Sequence, residues 1–188
     1  MYEIELKAWL DDRSAVQKKL AEFAVRNCNI DKHDTYWHAH KVTVRVRREE
    51  ITPSDCDLIH KNTLVTFKNK EKRVSSSNET YEVNEEHEFS VSNAEEFETV
   101  LKAAGFEISL KKHKKTDSWT YNEFHIELCY IEGLGDFIEI ETLTDNPSEE
   151  NTEEIRDRLL KILDKCSVPG SRIESRYYKE MLAEKGLA

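Results

Sequence analysis

Pairs of like charge recur along this chain at i, i+2 spacing. Glu3/Glu5, Glu86/Glu88 and Glu139/Glu141 are acidic, Arg45/Arg47 and Lys68/Lys70 are basic, and Lys7 extends the first row. In an extended strand, residues two apart share a face at a separation of about 7 Å. Like charges held that close repel unless an opposite charge or a bound ion lies between them. Paired carboxylates suit hard divalent cations such as Mg²⁺ or Mn²⁺, which take oxygen ligands. Arg and Lys suit phosphate oxygens, and Arg contacts them through two parallel N–H bonds. A substrate that uses both sets at once is a metal–polyphosphate complex. On any single strand the plainer meaning is a half-exposed sheet face. The rows taken together point to chemistry, provided the charged faces turn toward one another.

Elements that could do this are legible as alternation. Tyr2, Ile4, Leu6 and Ala8 oppose Glu3, Glu5, Lys7 and Trp9, which predicts a strand over 2–9. A second alternation lies in 34–50, where Val42, Val44 and Val46 oppose Thr43, Arg45 and Arg47. A third covers 63–70, a fourth 81–91, and two more lie in 107–131, joined near Asn122. A Gly-Leu-Gly turn at 133–135 leads into a strand over 136–144, where Ile138 and Ile140 oppose Phe137, Glu139 and Glu141. Residues 51–61 around Pro53 and the charged, Ser/Asn-rich run 71–80 read as loops.

Helices are expected over 12–25, with Val16, Leu20, Phe23 and Ala24 on one side, and after Ser92, which has Glu95 three residues on. The second would bury Phe97, Val100, Leu101 and Ala104 and stop at Gly105. A third is expected from Pro147 to about Lys165, with Ile155, Leu159, Ile162 and Leu163 inward. A last one follows Pro169-Gly170 and holds Tyr177, Tyr178, Met181 and Leu182. The apolar stripes of these helices need a sheet face to cover.

Length and composition bound the rest. The 188 residues suit one domain, and 38% hydrophobic content supplies a core. A net charge of −10 argues against wholesale nucleic-acid binding, which draws on excess Lys and Arg. Cys28, Cys56, Cys129 and Cys166 are scattered without a CxxC pair, so neither a zinc site nor a disulfide framework is expected, and a reducing cytoplasm is the simplest setting. No apolar run has the length of a membrane span, and the first residues do not read as a signal peptide. His38 and His40 could share a strand face, but two histidines without a third ligand are weak evidence for a metal.

Read in order, these motifs resemble the CYTH superfamily, the triphosphate tunnel metalloenzymes. The family's opening Glu-x-Glu-x-Lys is similar to Glu3-Ile4-Glu5-Leu6-Lys7. Its Asp-x-Tyr-aromatic element resembles Asp34-Thr35-Tyr36-Trp37, and its Arg-x-Arg strand resembles Val44-Arg45-Val46-Arg47. Val65-Thr66-Phe67-Lys68 and Glu86-His87-Glu88 match two further strands. The most specific match is Glu132-Gly133-Leu134-Gly135-Asp136-Phe137-Ile138-Glu139-Ile140-Glu141. The segment Ser175–Leu182 is similar to the tail of the class IV adenylyl cyclase branch.

The resemblance implies one α+β domain over 1–188, a closed eight-stranded antiparallel β-barrel forming a tunnel, with helices packed outside. It implies that Glu3, Glu5, Glu139 and Glu141 hold Mg²⁺ or Mn²⁺, and that Lys7, Arg45, Arg47, Lys68 and Lys114 bind a triphosphate. Lys7, Glu86 and Glu88 take catalytic roles on this reading. It further implies a small-molecule triphosphate substrate, no nucleic acid, no membrane, and a homodimer as one possible assembly. The first activity it suggests is that of a class IV adenylyl cyclase, from ATP to cyclic AMP and pyrophosphate. The alternatives are a triphosphatase acting on thiamine triphosphate, inorganic triphosphate or a nucleoside triphosphate, and a polyphosphate-binding module without turnover. Departures bear on that choice. Cys129 stands where the family has an Asp, and Thr116 and Asn84 fall where it has Arg; Lys115 or Glu127 are the nearest substitutes.

Overall fold

The computed structural model describes residues 2–40, 42–74, 80–146 and 148–187, with side chains described outside 68–74 and 80–86. Eight antiparallel strands and four α-helices make an α+β fold; the alternation alone predicts seven strands, because the stretch 34–50, read as one alternation, belongs to two strands. The strands are β1 (Tyr2–Trp9), β2 (Val25–Ala39), β3 (Val42–Pro53), β4 (His60–Val74), β5 (Thr80–Ser90), β6 (Glu107–Tyr121), β7 (Phe124–Ile131) and β8 (Gly135–Thr144). The helices are α1 (Arg13–Leu20), α2 (Ala94–Ala103), α3 (Glu149–Lys165) and α4 (Tyr178–Glu184). Hydrogen-bonded neighbours run β1-β5-β4-β3-β2-β6-β7-β8, and β1 pairs with β8 as well as β5. Every strand therefore has a partner on each side.

The apolar faces turn outward onto the helices. Ile4, Leu6 and Ala8 of β1 join Ile126, Leu128, Ile138 and Ile140 of β7 and β8. Over them lie Val16 and Leu20 of α1 and Ile155, Leu159, Ile162 and Leu163 of α3. On the other flank, Trp37, Val46 and Val65 pack beneath Ala94 and Leu101 of α2. Burying each such side chain contributes about 1.5–3 kcal/mol, so this outer layer is where most of the fold's stabilisation lies. A third cluster unites Trp9, Cys129, Ile131, Leu134 and Phe137 with Tyr178 and Met181. Trp9, Cys129, Ile131 and Phe137 share strand parity with Lys7, Glu127 and Glu139, so α4 packs over one end of the inward-facing rows.

Several boundaries depart from the sequence expectation. The first helix is shorter than 12–25, ending at Leu20 with Phe23 and Ala24 in the turn into β2. The loop over 51–61 shrinks, because β3 runs to Pro53 and β4 starts at His60. The loop over 71–80 is also shorter, with β4 reaching Val74 and β5 starting at Thr80; residues 75–79 lie outside the described set. Helix α2 is capped by Asn93, whose side chain accepts from the Glu96 N–H, and not by Ser92. Val100 and Ala104 are exposed, so its buried stripe is narrower than predicted. Gly105, at φ +84°, lets Phe106 N–H reach the Leu101 carbonyl at 2.9 Å, a Schellman ending. The third helix is capped by Ser148; Pro147 lies outside the described residues. Tyr177 caps α4 and is not part of it.

Strand β2 was only partly legible. Asp31, Lys32, His33 and Asp34 put charge on both faces, so period-two hydropathy disappears there. The turn to β3 passes through His40 at φ +52°, which removes it from any strand face shared with His38.

Candidate metal and phosphate site

The inward faces of β1, β2, β3, β6, β7 and β8 carry the charged rows. In β1 and β8 the register sets Glu5 opposite Glu141 and Lys7 opposite Glu139. Glu3, Glu5 and Glu141 each offer a carboxylate oxygen, and these oxygens all lie within 4.8 Å of one another. Burial, then the charges of Glu3 and Glu5, push the Glu141 carboxyl well above the usual range. A group of acids that cannot comfortably ionise together fits a divalent cation, and an all-oxygen donor set fits a hard one.

Glu139 belongs to a different group, with Glu127 and Cys129. Lys114 contacts Glu139, and its Nζ lies 2.6 Å from Glu127 Oε2. The Lys32 ammonium donates to Glu127 Oε1 at 2.5 Å. Burial alone would raise both carboxyls. Lys114 outweighs it and brings Glu139 down to about 2, while Lys114 and Lys32 hold Glu127 well below its usual range. Burial likewise opposes charge on Lys114, yet the carboxylates of Glu127 and Glu139 hold it well above the usual value. Lys32 goes the other way, because burial and the like charges of Lys114 and Arg47 exceed the pull of Glu127. Burial among these carboxylates pushes the Cys129 thiol up, which keeps it protonated.

A third group is basic. Arg47 donates to both oxygens of Asp34, at 2.7 and 3.0 Å, and Lys112 lies 3.2 Å from the same carboxylate. Asp34 is fully buried in its side chain, and Arg47 and Lys112 overcome that burial to hold it well below the usual range. Arg45 donates to Thr66 Oγ1 at 2.8 Å, and Thr66 in turn donates to Glu88 Oε2 at 2.8 Å. Glu88 also lies 3.4 Å from Arg45 and is exposed, at the edge of the inward rows. Lys7 donates to the Arg176 carbonyl at 2.6 Å and sits over the Tyr178 ring at 4.6 Å. Lys112 approaches that ring from 5.2 Å.

Of the residues named from sequence, Glu3, Glu5 and Glu141 come together, Lys7, Arg45 and Arg47 face the same interior, and Lys114 lies between Glu127 and Glu139. Lys68 and Glu86 fall outside the residues whose side chains are described; the backbone register places them opposite one another. Lys115 is exposed, so it does not replace the family's Arg from inside, whereas Glu127 is buried within the site. Lys32 and Lys112 were missed. Each is two residues from a named position, Asp34 and Lys114, and strand parity alone would have found them. One further inward group bears on a ligand: the buried hydroxyl of Thr116 has no hydrogen-bond partner among the described residues. Orphaned buried hydroxyls are uncommon in native interiors and mark places where a ligand or water completes the bonding.

Comparisons with known proteins agree with this arrangement. The family model described as "CYTH domain" matches residues 1–178. No curated protein sequence matches the chain. Among solved structures, the PH1819 protein from Pyrococcus horikoshii OT3 is 26% identical, with a TM-score of 0.78 over 97% of this chain and 99% of that one. A Vibrio parahaemolyticus protein described as a "putative adenylate cyclase" is 20% identical, with a TM-score of 0.74 over 97% of this chain and 98% of that one. A chain of the Schizosaccharomyces pombe Mediator head module is 11% identical, with a TM-score of 0.65 over 87% of this chain and 95% of that one. The last two likenesses are of fold.

Proposed function

The chain belongs to the CYTH domain family, and on that premise we propose that it is a divalent-metal-dependent enzyme acting on a small organic triphosphate. On this reading the ring of strands encloses a tunnel that holds the phosphate chain. The observation that carries it is the convergence of Glu3, Glu5 and Glu141 beside an interior lined by Lys7, Arg45, Arg47 and Lys112. Carboxylates for a hard cation and guanidinium and ammonium groups for phosphate are thereby combined in one enclosure.

Mg²⁺ or Mn²⁺ held by Glu3, Glu5 and Glu141 would supply positive charge to the phosphate oxygens, while Glu139, grouped with them by the sequence, is held by Lys114 instead. The remaining work falls to the protein's own side chains. Arg45, Arg47, Lys7 and Lys68 bind phosphate oxygens and favour the charge that builds on the leaving pyrophosphate. Lys114 keeps Glu127 and Glu139 ionised, and so sets the field at the inner end. The orphaned hydroxyl of Thr116 is a donor for the substrate. Glu86 and Glu88 on β5 are the acids assigned to the nucleophile's proton.

The first reaction proposed is cyclisation of ATP. The ribose 3′-hydroxyl attacks the α-phosphorus, its proton is lost, and the bond to pyrophosphate breaks. The fold shared with the Vibrio protein over nearly its whole length favours it. A second reading, hydrolysis of a triphosphate, is favoured by Cys129. A protonated thiol there gives the inner group one carboxylate fewer than the family pattern. Purified protein incubated with ATP and Mg²⁺ or Mn²⁺ is expected to release cyclic AMP and pyrophosphate. Orthophosphate alone would establish the second reading. No metal-dependent turnover of ATP, thiamine triphosphate or inorganic triphosphate would overturn both.

A further inference from the structure

On the outer face of the sheet, away from the tunnel, β2 and β6 bring a second kind of donor set together. His33 and His113 stand directly opposite one another in the strand register. Their rings stack at 4.2 Å between centroids and 11° between planes. Asp31 lies beside both, with Oδ1 at 2.6 Å from His113 Nε2 and 3.3 Å from His33 Nε2. The other nitrogen of His113, Nδ1, faces Glu132 Oε2 at 3.3 Å. Strand parity separates this group from the tunnel, because the intervening Lys32 and Lys114 are the side chains that turn inward and are buried.

We propose that Asp31, His33 and His113 form a surface site for a transition-metal ion of the zinc class. Three observations carry this. The three donor atoms lie within 4.8 Å of one another, the compass of a single ion. Tetrahedral zinc with bonds of about 2.0–2.1 Å holds its ligands about 3.3 Å apart. The Asp31–His33 separation already has that value; on binding, the Asp31–His113 separation opens from 2.6 Å toward it and one of the stacked rings turns so that both nitrogen lone pairs meet the ion. Finally, His113 has a carboxylate on its second nitrogen. That is how metal-bound imidazoles are usually oriented, with the far N–H donated to an acid so that the near nitrogen is free for the ion.

The donor types choose the ion. Two imidazoles and one carboxylate suit zinc, copper or nickel, whereas Mg²⁺ prefers the all-oxygen set inside. The surroundings are not a general cation trap. Lys115 lies opposite Asp31 and Arg48 opposite His33 in the register, so selection comes from imidazole coordination and not from bulk negative charge. Among the described residues three protein donors converge, leaving a fourth position for water or for an exchangeable group. An ion here ties together the two strands whose inner faces hold Lys32, Asp34, Lys112 and Lys114. Its first consequence is stabilisation of that strand pair.

The test is zinc titration of the full chain in the presence of millimolar Mg²⁺, which occupies the oxygen site, followed by calorimetry and thermal melting. Wild-type protein and a Glu3→Gln/Glu5→Gln variant are expected to bind one zinc ion alike. The His33→Ala/His113→Ala variant is expected to bind it about a hundredfold or more weakly. Glu132→Gln, which keeps all three donors, is expected to weaken binding about tenfold. Zinc at a hundredfold excess over its dissociation constant should raise the wild-type melting temperature by about 5–10 °C, and that of the double-histidine variant not at all. Unchanged zinc binding in the double-histidine variant, or loss in the Glu3/Glu5 variant instead, would overturn the proposal. So would a wild-type protein that binds no zinc at all.

Discussion

Glu139 and Glu141 stand two residues apart on one face of one strand, yet their environments drive them in opposite directions. Glu139 has Lys114 against it and is held down to about 2. Glu141 has Glu3 and Glu5 against it and is pushed well above the usual carboxylate range. Glu139 is buried and Glu141 half-buried, and burial opposes ionisation of both, so burial does not account for the opposite directions. The neighbouring charge does: Lys114 of β6 lies against Glu139, whereas Glu3 and Glu5 of β1 lie against Glu141. The interior is thus divided into an inner part, where Lys114 and Lys32 hold the acids ionised, and an outer part, where acidic neighbours hold Glu141 protonated. The first part is structural in its own right, and the second is the part that calls for a metal.

Breaking the inner part should have the larger effect. Lys114→Met leaves Glu139 buried without its cation and Glu127 with Lys32 alone. It is expected to cost about 3–5 kcal/mol, read from urea denaturation in the absence of metal. Glu141→Gln removes a charge that is already disfavoured. It should leave metal-free stability unchanged or slightly higher. Metal affinity should fall at least about 10–100-fold, because a donor is lost outright. A Glu141→Gln variant that is strongly destabilised without metal would erase the distinction between the two parts.

Titration separates them by sign. The native Glu139 carboxyl binds protons more weakly than in the unfolded chain. Its contribution is present above the ordinary carboxylate range and is lost as pH falls toward about 2. The native Glu141 carboxyl binds protons more tightly than when unfolded. Stability therefore declines as pH rises from the ordinary carboxylate range up to its raised folded value. Saturating Mg²⁺ should flatten the second slope and leave the first alone, a result that metal-dependent melting curves between pH 3 and about 8 would reveal. The smallest effect expected is that of Thr116→Val. Removing an unpartnered hydroxyl should not destabilise the protein, but if that hydroxyl serves the triphosphate, the apparent affinity should drop about two- to tenfold.

The sequence made the outer part legible and hid most of the inner part. Glu3/Glu5 and Glu139/Glu141 lie on strands with clean alternation, so their shared direction can be read directly. Lys32 and Lys112 lie where both faces are charged, so hydropathy does not say which way they point, and their direction follows only from parity with Asp34 and Lys114 once those are placed. Glu127 is flanked by Ile126 and Leu128, which gives its strand parity, but nothing local says that Lys114 and Lys32 will meet it. Such pairings are set by β2, β6 and β7 lying side by side, an adjacency that joins residues up to 95 positions apart in the Lys32–Glu127 case. The helix ends were misplaced for a smaller reason: Ser92 and Asn93 are both good caps, and backbone geometry chose between them.

The position of β1 has a consequence for how the molecule is made. This strand is joined to β8 along its whole length, from Tyr2 to Trp9, but to β5 only from Tyr2 to Glu5. Lys7 also reaches the Arg176 carbonyl, 169 residues away. Because β1 precedes β8 in the chain, it must wait, unpaired on one side, until the strand that completes it has been synthesised. Contacts of such long sequence separation form late and slowly. Glu3, Glu5 and Glu141 come together only at that last step, so the acids that would receive the ion are assembled by the same event that completes the fold.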